Sequence, residues 1–80
     1  MKEKIRKILA DTFRLAPEEI GDDASVDTIE AWDSMSNVHL VLALETEFAV
    51  RLKMEQISRI TSYENILALL REISEGRKEL

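Results

Sequence analysis

The sequence predicts an all-α fold, a small antiparallel bundle of three long helices and one short helix, with a long loop between helices one and two. Three segments repeat apolar residues at helical spacing, and no segment alternates apolar and polar residues as a half-buried strand would. A chain of 80 residues has room for one hydrophobic core. We therefore expect a single domain over residues 1–80, with residues 76–80 as a frayed tail.

The first helix is predicted over roughly residues 2–15. Its apolar stripe follows the spacing i, i+3, i+4, i+7 and i+8 through Ile5, Ile8, Leu9, Thr12 and Phe13. Pro17 ends this helix, because the residue before a proline is disfavoured in the α region, and it can open a single turn to Ile20. The long polar loop then covers residues 21–32. We expect the core to hold it through Val26, Ile29 and Trp32.

The second helix is predicted from Asp33, as N-cap, to about Phe48, with Ser34 in the first helical position. At about 100° per residue, this helix is apolar on two faces. The core face holds Leu40, Val41, Leu44 and Phe48. The second face, about 120–180° from Leu44, holds Met35, Val38 and Leu42. Either both faces are buried or the second one is a contact surface.

The remaining residues predict a loop with one or two helical turns over residues 51–59, followed by the last helix. Thr61 and Glu64 have the spacing of a capping box, in which Thr61 caps the helix and Glu64 reaches back. Gly76 is expected to end the helix. Its buried face is predicted to consist of Tyr63, Ile66, Leu67, Leu70 and Ile73.

The formal net charge of −5 is unevenly distributed. Residues 1–14 carry a net charge of +3, residues 15–50 carry nine acids and no Lys or Arg, and residues 51–80 carry +1. The acidic block is either a solvated loop or a negative surface that attracts a basic partner. This balance argues against a nucleic-acid partner, because phosphates favour a basic face.

Composition also excludes several kinds of chemistry. Without cysteine there is no disulfide, thiol nucleophile or cysteine-bound zinc, and two glycines are too few for a phosphate-binding loop. Ser34 and His39 are five residues apart on one helix, about 140° around its axis, so they cannot act together as nucleophile and base. An EF-hand pattern starting at Asp23 fails at its sixth and twelfth positions. We therefore predict no serine–histidine hydrolase site and no metal site.

No apolar run reaches the roughly 18 residues of a membrane span. The sequence therefore predicts a cytoplasmic domain, which we also expect to be a monomer. Within it, Ser34 has two interpretations. It is either part of the helix cap or, since Asp33 already supplies a capping carboxylate, an exposed hydroxyl that can be modified. The start of a helix favours an attached phosphate.

The stretch Trp32-Asp33-Ser34-Met35, followed by an apolar helix that ends in Leu44-Glu45-Thr46-Glu47-Phe48, closely resembles the acyl carrier protein family. The hallmark of that family is an Asp-Ser-Leu or Asp-Ser-Met triplet at the start of the second helix. Residues 17–20 resemble the family's turn after helix one, and residues 60–62 resemble the start of its last helix. The resemblance covers nearly the whole chain in register.

This resemblance implies a non-catalytic carrier. In the family, a phosphopantetheinyl transferase uses coenzyme A to esterify the serine of the triplet with 4′-phosphopantetheine, whose thiol holds acyl groups as thioesters. By position, Ser34 is the attachment site, and Asp33 helps to place the transferase and its metal. The implied docking face on helix two has an apolar part and two acids, which are Met35, Val38, Leu42, Glu45 and Glu47.

The chain also departs from the family's usual pattern. Many fatty-acid carriers have Gly where Ala31 stands and acids where Ser36 and His39 stand. These differences favour a specialised carrier, whose partners are an acyl-loading ligase or transferase and the synthase or modifying enzymes of one fatty-acid, lipid or polyketide-type pathway. Two alternatives remain: an aminoacyl or peptidyl carrier loaded by an adenylating ligase, and an unmodified helical docking domain.

Overall fold

The structure, a computed structural model, describes residues 1–78 and the side chains of residues 1–76. This part of the chain is a small helical bundle, which confirms the predicted all-α class. A 3-10 turn, Pro17–Glu19, follows the first helix where the proline predicts a turn. The α-helices are α1 (Lys2–Phe13), α2 (Ser34–Phe48), α3 (Met54–Ile57) and α4 (Tyr63–Lys78).

The first helix ends earlier than its apolar pattern predicts. Arg14 adopts the left-handed conformation with φ of 58°, and its N–H bonds to the carbonyl of Ala10. The left-handed residue closes the helix at Phe13, before Pro17 can do so. Four α1 side chains are buried against the other helices, namely Ile5, Leu9, Ala10 and Phe13.

One hydrophobic cluster joins the three long helices and the loop. The predicted core residues of α2 and α4 belong to it, with Phe48 and Ile73 partly buried at its edge. Ile29 and Trp32 anchor the loop as predicted. The prediction for Val26 is wrong, because this side chain is 42% exposed. Leu69 is also buried, although it lies outside the predicted core face of α4.

The long loop is fixed at its start and again a few residues farther along. The guanidinium of Arg6 donates to the carbonyl of Ile20 and, at 2.8 Å, to Asp22 Oδ1, and it lies 4.9 Å from the centre of the Tyr63 ring. Farther along, an isolated antiparallel bridge joins Ser25 to Ser62. As a result, the loop is held against the first turn of α4, beside the beginning of α2.

Two predictions for α4 are wrong. The cap lies at Ser62 rather than Thr61, because Ser62 Oγ accepts the backbone N–H of Asn65 at 3.0 Å. The helix also continues through Gly76 to Lys78. A glycine inside a helix costs only about 1 kcal/mol relative to alanine, which does not force an end. Residues 79 and 80 of the predicted tail lie outside the described residues.

Candidate functional site

Asp33 and Ser34 form the beginning of α2, as predicted. Asp33 has an extended backbone, and its Oδ1 accepts the backbone N–H of Ser36 at 2.9 Å. Asp33 is therefore the N-cap. Ser34 is the first residue of the helix and is exposed. Because the Asp33 carboxylate caps the helix, the Ser34 hydroxyl is not needed for this purpose.

The electrostatic state of Asp33 follows from the same cap. The backbone N–H of Ser36, and then its hydroxyl, hold the pKa of the Asp33 carboxyl below its ordinary value. At neutral pH the carboxylate is therefore ionised. A fixed negative charge thus lies next to Ser34. This charge can attract a metal ion or a basic group of a partner.

We expect the Asp33 cap to make the free energy of unfolding depend on pH in the acid range. A lowered pKa means that the folded state binds the proton less tightly than the unfolded state, so this contribution is complete above the ordinary carboxyl pKa of about 4 and disappears as the pH falls through the lower, folded value. Asp33→Asn keeps a capping oxygen that does not ionise. Urea unfolding from pH 7 downward should show a smaller loss of stability in this variant than in the wild type.

Asp22 and Glu72 also have lowered pKa values, because each pairs with an arginine. Both remain in the Asp33→Asn variant, so their acid dependence is common to the two proteins and cancels in the comparison. Identical pH profiles for the two proteins would show that the Asp33 carboxylate does not contribute.

Trp32 links the loop to the first turns of α2. Its indole Nε1–H donates to Asn37 Oδ1 at 3.0 Å, and its ring centre lies 5.1 Å from that of Phe13. Trp32 is buried. The end of α1, the loop and the beginning of α2 are therefore held together at the residue that precedes Asp33.

Sequence reasoning missed Asn37, although a signal was present. Asn37 lies three, four and seven residues before Leu40, Val41 and Leu44, so it is a polar residue on the core face of α2. A polar side chain in that position needs a hydrogen-bond partner. The neighbouring Trp32, with its single donor, is such a partner.

Asn37→Ala should destabilise the domain by about 1–3 kcal/mol, because it leaves the buried indole N–H without its acceptor. Asn37→Asp is the matched control, since it keeps an acceptor oxygen in the same place. Urea unfolding followed by circular dichroism measures both. Equal stability of the alanine variant and the wild type would mean that this hydrogen bond does not secure the loop.

An open groove of about 330 Å³ lies beside Ser34. Besides Asp33 and Ser34 themselves, its walls include Val26 and Trp32 from the loop and Ile60 and Thr61 from the segment before α4. A second, smaller groove of about 180 Å³ runs between α2 and α3, with Val38, Leu42 and Ile57 in its walls. Both grooves border Asn37.

The second apolar face of α2 is exposed. Met35, Val38 and Leu42 are 74%, 58% and 57% exposed, whereas Leu40 and Leu44 on the opposite side are buried. We call Met35, Val38 and Leu42 the outer face. Of the two interpretations that the sequence left open, burial of both faces is therefore wrong.

The two predicted docking acids, Glu45 and Glu47, do not lie within the outer face. Glu45 is half-buried, and its Oε2 accepts the backbone N–H of Leu52 at 2.9 Å, which fixes the segment after α2. Glu47 is exposed but lies five residues from Leu42, about 140° around the helix. The three apolar residues thus come together, Glu45 lies at their edge, and Glu47 lies on another side.

Within residues 1–78, no group of three or more acidic or histidine side chains is arranged to hold a metal ion. Over the same residues, no helix combines the length and apolar character that crossing a membrane requires.

Comparison with known proteins identifies the family. A family model described as "Phosphopantetheine attachment site" matches residues 3–71. An acyl carrier protein of Petrotoga mobilis is 38% identical over 71 residues, which cover 88% of this chain and 82% of that protein. An acyl carrier protein of Thermosynechococcus vestitus is 32% identical over 65 residues, covering 81% and 80%.

A helical bundle with an exposed serine at the start of α2, matched by this family model over most of its length, is a phosphopantetheine-binding carrier domain. The chain belongs to the acyl carrier protein family. Proteins of this family are non-catalytic carriers, and their cofactor is covalently attached 4′-phosphopantetheine. Family membership also implies a phosphopantetheinyl transferase and synthase or transferase enzymes as partners.

The residues at the beginning of α2 fit this cofactor. Ser34 offers an exposed hydroxyl for a phosphoester, and the N-terminal end of a 15-residue helix favours the negative charge of a phosphate. The adjoining groove has polar walls at Asp33 and Thr61 and apolar walls at Trp32 and Ile60. Such a groove can accommodate an arm that contains both amide and methyl groups.

Proposed function

We propose that the chain is an acyl carrier whose 4′-phosphopantetheine arm is attached to Ser34. The observation that carries this proposal is the exposed Ser34 hydroxyl at the first position of α2, with Asp33 supplying the cap and a groove beside it. Ser34 lies inside the region matched by the family model. Ser36, the neighbouring serine, is half-buried, and both its N–H and hydroxyl interact with Asp33.

The attachment is a phosphoryl-type transfer on Ser34. Ser34 Oγ forms a bond to the phosphorus of the 4′-phosphate in coenzyme A, the pyrophosphate P–O bond breaks, and adenosine 3′,5′-bisphosphate leaves. The hydroxyl proton passes to a base of the transferase. We assign to the ionised Asp33 the role of holding the metal and basic groups of the transferase next to Oγ.

When bound, 4′-phosphopantetheine supplies the thiol that holds acyl groups as thioesters, which a chain without cysteine cannot provide itself. We assign to the outer face the docking of the enzymes that load and process the cargo, because it begins next to Ser34 and is exposed. These enzymes are an acyl-loading ligase or transferase and the synthase or modifying enzymes of one pathway.

The experiment that tests this function is intact-mass spectrometry of the carrier recovered from its native cell. The expected spectrum shows the chain with one 4′-phosphopantetheine and an acyl group in thioester linkage, which hydroxylamine removes. An aminoacyl group in its place would indicate a carrier loaded by an adenylating ligase. The bare chain mass alone would contradict the proposal and would favour an unmodified docking domain.

A further inference from the structure

The three helical turns that follow the attachment serine differ from the rest of the molecule in charge. Asp, Glu, Lys and Arg make up 34% of the chain, yet residues 34–44 contain none of them. This stretch has about 11 residues and is about 16 Å long. An enzyme that reaches Ser34 Oγ therefore meets an uncharged helix surface beside it.

The same stretch exposes large apolar side chains. Met35, Val38 and Leu42 lie within about 60° of one another around the helix, and each is more than half exposed. Leu42 also borders the apolar groove between α2 and α3, together with Ile57. The outer face is thus a continuous apolar surface with a flexible methionine at its Ser34 end, a residue type that adapts to the shape of a partner.

Charged groups flank this stretch in the sequence without entering it. Asp27, Glu30 and Asp33 are exposed in the loop before α2, and Glu45 lies at the other end of the helix with one carboxylate oxygen bound to Leu52. His39 is exposed about 40° from Met35 around the helix axis. The distribution corresponds to a protein interface with an apolar centre and a charged rim.

We propose that the enzymes acting on this carrier meet the outer face with an uncharged apolar surface, and that their cationic groups are confined to the rim that faces the loop acids. The inference rests on the proposed attachment of the arm to Ser34. Residues 34–43 contain no carboxylate that could pair with the cations of a basic partner groove. Such a groove would lose the water bound to its charges on docking and gain no ion pair in return. Charge complementarity therefore favours the apolar partner.

Two other occupants fit the structure less well. A second copy of the chain on the outer face would cover Met35 and obstruct the adjacent Ser34. An anionic lipid surface would be repelled by residues 15–50, which contain the outer face. This segment has nine acids, placed before and after the outer face in the sequence, and no Lys or Arg.

The test uses the phosphopantetheinyl transferase of the carrier's own cell, with coenzyme A and Mg²⁺, and measures KM for the carrier and kcat separately. Leu42→Ser and Val38→Ser remove apolar contact at exposed positions, so they should fold normally, which thermal melts verify. Each should raise KM about tenfold with kcat unchanged. The factor should be the same at about 50 and 500 mM NaCl, because apolar contacts are not screened by salt. Ala68→Ser, at an exposed position of α4, is the matched control and should leave KM unchanged.

His39→Glu is the directional test, because it adds a carboxylate at the edge of the outer face. An apolar partner should bind this variant more weakly, so KM should rise.

A lower KM that becomes sensitive to salt would show a cationic partner and overturn the inference, as would a Leu42→Ser variant with unchanged KM. A wild-type dimer that Leu42→Ser dissociates in sedimentation would assign the face to self-association and also overturn it. A wild-type chain that never accepts the arm would instead refute the attachment to Ser34, and the inference with it.

Discussion

Leu44→Ala should lower the free energy of unfolding by about 2–5 kcal/mol, because it leaves a cavity in the core. Leu44 is 1% exposed and lies on the buried side of α2. Domains of this size have a total stability of only about 4–12 kcal/mol, so the loss is a large part of the whole. Urea unfolding followed by circular dichroism measures the change.

Leu42→Ala is the matched control for this prediction, because it makes the same chemical change two residues away on the same helix. Leu42 is 57% exposed, and a surface substitution of this kind should change stability by no more than about 0.5 kcal/mol. If Leu42→Ala were as damaging as Leu44→Ala, the outer face would be buried in solution and could not serve as a docking surface.

The helices could be predicted because local signals and core packing agree. In α2 the Asp33 cap and the apolar periodicity predict the observed span, Ser34–Phe48. The two apolar faces of that helix, and the assignment of one of them to the core, also follow from the spacing of its apolar residues. What the spacing could not decide is whether the second face is buried as well, since this depends on how many elements pack around α2.

Tertiary contacts account for the errors. Val26 is apolar but donates its backbone N–H to the carbonyl of Thr61 at 3.0 Å, and this position leaves its side chain at the surface. The same pairing between the loop and residues 61–63 moves the α4 cap to Ser62. Neither effect is encoded in a local pattern, because the partners are more than 30 residues apart in the sequence.

The candidate site, too, is predictable where a local motif defines it and not where it depends on tertiary contacts. A local motif predicts Asp33 and Ser34 as candidate site residues, and the structure places them at the beginning of α2 as predicted. The role of Glu45 could not be inferred, because its hydrogen bond to Leu52 depends on the path of the chain after α2. The groove beside Ser34 was also missed, since three separate segments build it.

Ser34→Ala should abolish arm attachment completely, the largest functional effect expected for any single substitution in this chain. The loss is absolute because alanine has no oxygen to form the phosphoester. Folding should be unaffected, since Ser34 is exposed and Asp33 keeps the cap. Ser36→Ala is the matched control, because it removes the neighbouring hydroxyl but keeps the backbone N–H that Asp33 accepts.

The most direct measurement is the intact mass of the wild type, Ser34→Ala and Ser36→Ala after incubation with coenzyme A, Mg²⁺ and a broad-specificity phosphopantetheinyl transferase. The wild type and Ser36→Ala should each gain the mass of one phosphopantetheinyl group, while Ser34→Ala should keep its original mass. A Ser34→Ala variant that still gains the group, or a Ser36→Ala variant that does not, would contradict the assignment of Ser34 as the attachment site.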